Sequence, residues 1–344
     1  MDVEYLQKIP GENRLEKVNI GVIGCGKMVL DLVRRSVKME RANVVAVYDP
    51  LDEANRAAAG EFAAEPSRTV EELVNHSGVE AVLIGSPPGF HHGNVLAAAS
   101  TGKHIYCEKP LAISVTQCDE MIAACEKSGS KLFVGQVLRL FPLFWKSHEL
   151  IEEGAIGEPR AVSVTRTGYA AQFGSGWRAK RSEAGGLLLE INAHELDYLR
   201  FLLGQPDTVY AKMANLYGQT DYEDQSFLII TFKSGATGAL HSSLSSPIGE
   251  FRVHIQGALG NIIHGGFGGT LRCRRRDDPE EKEISVKPED LNLPDPYNRE
   301  LMSFYDWVTE NKTPLFTGRD GRAAVAMAEA AYESVKTGAP AKVK

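Results

Sequence analysis

The stretch between Gly185 and Gly204 carries three groups that could move protons: Glu190, His194 and Asp197. Their i,i+4 and i,i+3 spacings would put all three on one face of a continuous helix. Leu187, Leu188, Leu189, Ile191, Leu196 and Leu199 make most of its remaining surface apolar. An acid and an imidazole are costly on such an element. Beside a crevice they suit proton transfer, because an imidazole with a pKa near ~6.5 both takes and gives a proton at neutral pH. The plain alternative is a solvated pair on a helix surface. A second group is Glu108-Lys109-Pro110, at the end of the extended run KHIYCE. An ammonium there can hydrogen-bond a hydroxyl and stabilise an alkoxide as it forms. An X-Pro bond can be cis, and a lysine at a strand end can also be merely solvated.

A third group is Gly24-Cys25-Gly26, directly after the apolar run VNIGVIG and at the start of a helical pattern. Gly24 permits a tight turn and Gly26 lets backbone approach a pyrophosphate. The helix N-terminus adds N–H donors and partial positive charge. Gly24, Cys25, Gly26, Lys27 and Met28 would line such a loop, although Val29 stands where the usual pattern has its third glycine. Asp49 ends the next extended run, where a carboxylate accepts bonds from ribose hydroxyls and repels a 2′-phosphate. Its neighbours Pro50 and Leu51 offer such a phosphate no cation. The expected cofactor is therefore NAD rather than NADP, with a helix cap as the alternative role for Asp49. The segment SPPGFHHGN is expected to close over the cofactor, with Ser86, Pro87, His91 and His92 as candidates. Arg178, in GWRAKR, is placed to reach the cofactor or an anionic substrate group, or simply solvent. Adjacent histidines on an extended chain make a poor metal shell, so no metal is expected.

These groups need elements to hold them. From Val18 to Gln136 short apolar runs alternate with helical stretches, the pattern of βαβ units and a doubly wound parallel sheet. After about residue 137 the pattern changes: helices near 143–153 and 186–203, then successive β-like runs joined by short turns, then helices near 297–310 and 319–336. This predicts an α+β domain, residues 137–344, with a large, mostly antiparallel open sheet and a last helix free to pack back on the first domain. Residues 1–17 read as a polar extension. The 344-residue chain holds 38 Lys plus Arg against 45 Asp plus Glu, a net charge of −7, which argues against nucleic acid as a partner. The five cysteines, Cys25, Cys107, Cys118, Cys125 and Cys273, form no C-x-x-C pair and suggest a reducing compartment. Neither a secretory signal nor a membrane-spanning run is evident, so a cytoplasmic protein with no membrane partner is expected.

Taken together, GVIGCG (21–26), Ser86-Pro87 with His91, GKHIYCEKPLA (102–112), Arg139 with Pro142, GWR (176–178), the Gly-Gly…Glu…His…Asp series of 185–197 and AAYESVKTG (330–338) resemble the Gfo/Idh/MocA oxidoreductases. The resemblance runs from residue 18 to about 340. It implies an N-terminal Rossmann domain and a C-terminal domain whose open sheet often mediates homodimers or homotetramers. It implies exchange of a hydride between NAD(P) and a hydroxyl carbon of a sugar, cyclitol or related compound. It assigns catalysis to Lys109, Glu190 and His194, with Glu108, Gln136, Arg139 and Asn192 as further cofactor or substrate contacts. Inositol dehydrogenases have Asp where this chain has Glu190, one methylene longer. Redox-assisted glycoside cleavage and a non-catalytic dinucleotide-binding regulator are the other activities the resemblance allows.

Overall fold

The computed structural model describes residues 16–169, 171–286 and 293–344. Most of the polar extension, residues 1–15, lies outside the described residues. From Val18 strand and helix alternate: β1 (Val18–Ile23), α1 (Lys27–Lys38), β2 (Ala42–Tyr48), α2 (Asp52–Phe62), β3 (Glu65–Pro66), α3 (Val70–Asn75), β4 (Ala81–Ile84), α4 (Pro88–Ser100), β5 (His104–Glu108), α5 (Val115–Ser128) and β6 (Leu132–Gly135). The six strands are parallel, in the order β3-β2-β1-β4-β5-β6. β4 is buried at every position and β1 at all but one. Strands covered on both faces are apolar without alternation, hence the continuous runs in the sequence. The strand order reverses between β1 and β4, so the loops following both share one edge.

One local reading changes. The segment 86–94 is not a loop: α4 begins at Pro88, with Pro87 as N-cap at φ −57°, ψ 147°. Proline suits the first helical turn because its φ is preset and its missing N–H would have no partner there.

The chain continues through α6 (Pro142–Glu152), β7 (Pro159–Tyr169), α7 (Arg181–Ala184), α8 (Leu187–Glu190), α9 (Ala193–Leu203), β8 (Pro206–Ala214), β9 (Gln225–Phe232), β10 (Thr237–Ser243), β11 (Ser245–Gly257), β12 (Gly260–His264), β13 (Thr270–Arg275), β14 (Lys282–Ser285), α10 (Pro296–Glu310), α11 (Gly318–Thr337) and β15 (Ala341–Lys342). Nine strands form one sheet, β14-β13-β12-β11-β7-β10-β9-β8-β15, antiparallel except where β7 pairs with β10. Along β9, Ser226, Leu228, Ile230 and Phe232 are buried while Phe227 and Ile229 are exposed, so one face is covered and the other open.

Two compact units result. One runs to Gln136 and takes in Pro294–Arg322; the other comprises Val137–Leu293 and Ala323–Lys344. The sequence reading put residues 137–344 in the second domain and allowed only the last helix to pack back on the first; the helix that groups with the parallel sheet is the one before it, α10. Phe304 packs edge-on against Tyr106 and Phe133, both at 5.8 Å, and Arg41 meets Asp306 in a buried ion pair at 2.6 Å. An amphipathic pattern shows that a helix has an apolar face, not which sheet that face will cover. Among the described residues no helix is long and apolar enough to cross a membrane.

Candidate active site

Gly24, at the end of β1, has φ +86°, and a Cβ there would lie 2.6 Å from the Ser86 amide nitrogen. Only glycine fits. Gly26 is the N-cap of α1, and a Cβ on it would meet nothing within 4 Å. The first turn of α1 has no side-chain cap and no acidic residue, leaving its N–H groups for an anion. Val29 is accommodated from the opposite side: a Cβ on Gly85 would lie 2.5 Å from the Val29 Cβ. The close helix–strand approach survives because the small residue sits on β4's exit rather than on the helix.

Asp49 is not a helix cap, since the N-cap of α2 is Leu51. Its Oδ2 accepts the Cys25 N–H and its Oδ1 the Leu51 N–H, each at 2.8 Å. The carboxylate thus ties the glycine loop to the end of β2, and each oxygen keeps a lone pair for a ribose hydroxyl. Burial, and then the Asp49 charge, push the Cys25 thiol up to about 12, so this cysteine is inert packing.

Ser86 accepts a bond from Asn94 Nδ2 at 2.9 Å. His91, expected to meet the cofactor, is fully buried instead. Its Nε2 lies 2.8 Å from the Ser86 carbonyl oxygen and its Nδ1 2.8 Å from that of Pro110. Burial lowers its pKa, and the neutral ring donates to one carbonyl at a time. His91 clamps the β4 and β5 exit loops together. His92 faces away, 2.6 Å from Glu120 Oε2. Beyond β5 the Lys109–Pro110 bond is cis, and Glu108 Oε2 accepts the Lys109 N–H at 3.2 Å. Gln136, read as a substrate contact, is fully buried.

In the second unit the expected single helix 186–203 is two. α8 ends at Glu190 and α9 begins at Ala193, with Ile191 and Asn192 between. Asn192, at the N-cap, accepts the Leu196 N–H on its backbone carbonyl at 2.9 Å and donates from Nδ2 to Glu195 Oε2 at 3.0 Å. Asparagine restarts helices because its amide competes with the helical backbone. It is fully buried. Glu190 therefore ends one helix, while His194 and Asp197 belong to the next. Asp197 takes both Nε and Nη2 of Arg139, and both residues are buried, so this pair braces α9. Glu190 accepts from Arg178 Nε at 3.0 Å. Arg178, expected at the cofactor, lies 4.1 Å over the Trp177 ring, and its backbone oxygen accepts from the Tyr222 hydroxyl at 2.5 Å. His194 alone between Asn192 and Leu199 is not buried. Sequence reasoning missed Gly85 and Tyr222. The glycine before Ser86 was a visible signal; nothing local marks a tyrosine 44 residues from the arginine it braces.

Two family models match this chain. Residues 18–136 fit the oxidoreductase family, NAD-binding Rossmann fold, and residues 148–343 fit the oxidoreductase family C-terminal alpha/beta domain. The chain belongs to the Gfo/Idh/MocA oxidoreductases. It is similar to 1,5-anhydro-D-fructose reductase of Ensifer adhaerens, 29% identical over 94% of this chain and 98% of that one. It is also similar to myo-inositol 2-dehydrogenase of Thermotoga maritima, 27% identical over 93% and 96%. The structure of levoglucosan dehydrogenase with NADH and levoglucosan shares its fold, with TM-score 0.86, 23% identity, and 95% and 100% coverage. This Gfo/Idh/MocA member is an NAD-binding enzyme, and the residues fit that cofactor. Gly24 and Gly26 leave backbone open at an uncapped helix start, Asp49 is oriented by two N–H groups, and no cation stands at Pro50 or Leu51. Among the described residues no cluster of His, Cys, Asp and Glu could hold a metal ion.

Proposed function

We propose that the protein is an NAD-dependent dehydrogenase that oxidises a secondary hydroxyl of a sugar, glycoside, aminosugar or cyclitol to a ketone, or runs the reverse reduction. The observation that carries the reading is His194: on the first turn of α9 it is half-buried, while every other residue from Asn192 to Leu199 is buried. The bound cofactor supplies the two-electron acceptor. His194 takes the hydroxyl proton on an imidazole nitrogen. The Lys109 ammonium, held after β5 by the cis Lys109–Pro110 turn, stabilises the oxyanion. Glu190, fixed by Arg178, binds the substrate or supports the imidazolium. The names of the relatives, a sugar-derived reductase and a cyclitol dehydrogenase, support this substrate class. So does the nearly neutral character of the pair, one arginine against one glutamate.

The test is a screen of polyols, sugars, aminosugars and glycosides for NADH formation. Dehydrogenation accumulates NADH with ketone; consumption of a glycoside without NADH would point to redox-assisted cleavage instead. His194→Ala is expected to keep cofactor affinity and lose about 10²–10⁴-fold in rate; near-normal turnover would overturn the assignment. The open sheet face around Phe227 and Ile229, exposed at 50% and 49%, suits a second copy of the chain. Light scattering should then give a dimer or tetramer mass. Five free, buried cysteines suit a cytoplasmic enzyme.

A further inference from the structure

Beneath the Glu108–Lys109 turn lies a buried acid that the proposed reaction does not use. Glu300, on α10, is 1% exposed. Its Oε2 lies 2.8 Å from the Tyr106 hydroxyl, and the same hydroxyl lies 3.3 Å from Glu108 Oε1. Glu300 Oε1 is buried with no hydrogen-bond partner among the described residues. Gly135 on β6 makes the space: a Cβ there would lie 2.8 Å from the Tyr106 hydroxyl and 3.2 Å from Glu108 Oε1.

A tyrosine hydroxyl has one proton. Between two ionised carboxylates it could serve only one, and its lone pairs would face the other. The conflict disappears if one acid keeps its own proton. Glu108 is half-exposed, so solvent can support its charge, and its Oε2 already accepts the Lys109 N–H at 3.2 Å. Glu300 is sealed from solvent and has no second donor among the described residues, so a charge there would carry the full cost of desolvation. The proton therefore belongs on Glu300. Other titratable groups surround it. Burial, followed by the Glu108 charge, holds the Glu300 carboxyl well above the usual carboxylate range. Tyr297, one turn earlier on α10, is pushed up to about 12 by burial and then by Glu108, Glu300 and Asp295. Arg35 of α1, 5.2 Å over the Tyr297 ring, is engaged by Asp31 and Asp295 at 2.7 Å each.

We propose that Glu300 is a positioning residue: its carboxyl proton goes to Tyr106, whose own proton goes to Glu108, and this relay holds the Glu108–Lys109 turn for cofactor binding and for Lys109. The role of Lys109 in this statement rests on the proposed function; the relay and its effect on cofactor binding do not.

Three full-length variants test it: Glu300→Gln, which still donates; Glu300→Leu, which cannot; and Tyr106→Phe, which removes only the hydroxyl. The infrared spectrum at pH 7 should show a protonated carboxyl C=O band that disappears in Glu300→Gln. NADH affinity should fall about tenfold in Glu300→Leu and Tyr106→Phe, the scale of one lost buried hydrogen bond, and stay within about threefold in Glu300→Gln. With an active substrate, kcat should follow the same order, and the Gln variant should keep the wild-type pH profile. Absence of the band, equal damage in Gln and Leu, or unchanged NADH affinity in both Leu and Phe variants would overturn the relay. A screen yielding no NADH from any substrate would instead sink the dehydrogenase reading, leaving the band and the affinities to decide the relay.

Discussion

Arg139 and Asp197 meet with 6% and 0% of their side chains exposed, whereas Arg178 and Glu190 meet at 39% and 7%. Both pairs join a guanidinium to a carboxylate around the same two short helices. The first is engaged through two nitrogens and lies over the Phe201 ring at 4.6 Å. The second is joined by one hydrogen bond, from Arg178 Nε, with the guanidinium 4.1 Å over the Trp177 ring and 39% of the side chain exposed. Burial decides what each can do. A sealed pair has already exchanged water for its partner and can only brace the fold. An open pair costs little to rearrange and can answer a ligand.

The largest expected effect is on the sealed side. Asp197→Ala strands the Arg139 charge and should cost about 3–5 kcal/mol in denaturant unfolding. Arg139→Met with Asp197→Leu should recover most of it, and failure to recover would mean the pair does more than neutralise itself. His264 belongs to the same sealed layer, edge-on to Phe144 at 4.9 Å and depressed by burial to about 3. Its neutral form is the folded one, so its stabilisation is complete above its ordinary pKa near ~6.5 and drains as pH falls toward 3. Between pH ~6.5 and ~5 that amounts to roughly 2 kcal/mol. His264→Phe should flatten acid unfolding by that amount, and an unchanged pH slope would contradict the assignment.

Effects on the open pair should appear in kinetics rather than stability. Glu190→Gln is expected to change unfolding by under about 1 kcal/mol while lowering turnover roughly tenfold. An acid-shifted pH–rate profile would mean that Glu190 supports the imidazolium, a raised KM that it grips a hydroxyl. A loss of stability as large as that of Asp197→Ala would erase the distinction between the pairs. Smallest is the cofactor preference: Asp49→Ala should narrow the NAD-over-NADP affinity ratio by about tenfold or less, the scale of one charge-assisted hydrogen bond. Tighter NADP binding by the unaltered protein would reverse the reading.

Legibility followed the range of the forces involved. The glycine loop, Asp49 and the strand–helix alternation depend on neighbours in sequence, and apart from the start of α4 they stand within a residue or two of where the pattern puts them. Ser114, for instance, caps α5 through Gln117 N at 3.3 Å. His91 reads like a ligand contact because two histidines beside Pro-Pro resemble a loop, yet that proline pair starts a helix and turns the ring into the interior. Arg139, Arg178 and Asn192 have the right chemistry for substrate contacts, and their partners lie 58, 12 and 3 residues away. Only the last is local enough for the sequence to have signalled it.

By itself the sequence determined the family, the two kinds of sheet, the anion-binding helix start and the residue types available for proton transfer. Each follows from periodicity, from glycine stereochemistry or from charge at short spacing. The tertiary structure alone decided which carboxylate each arginine takes, which histidine is sealed and which left open, and that α10 joins the parallel sheet with Glu300 beneath the Glu108–Lys109 turn. Desolvation makes these choices, and burial depends on which distant segments pack together, a property no local pattern carries.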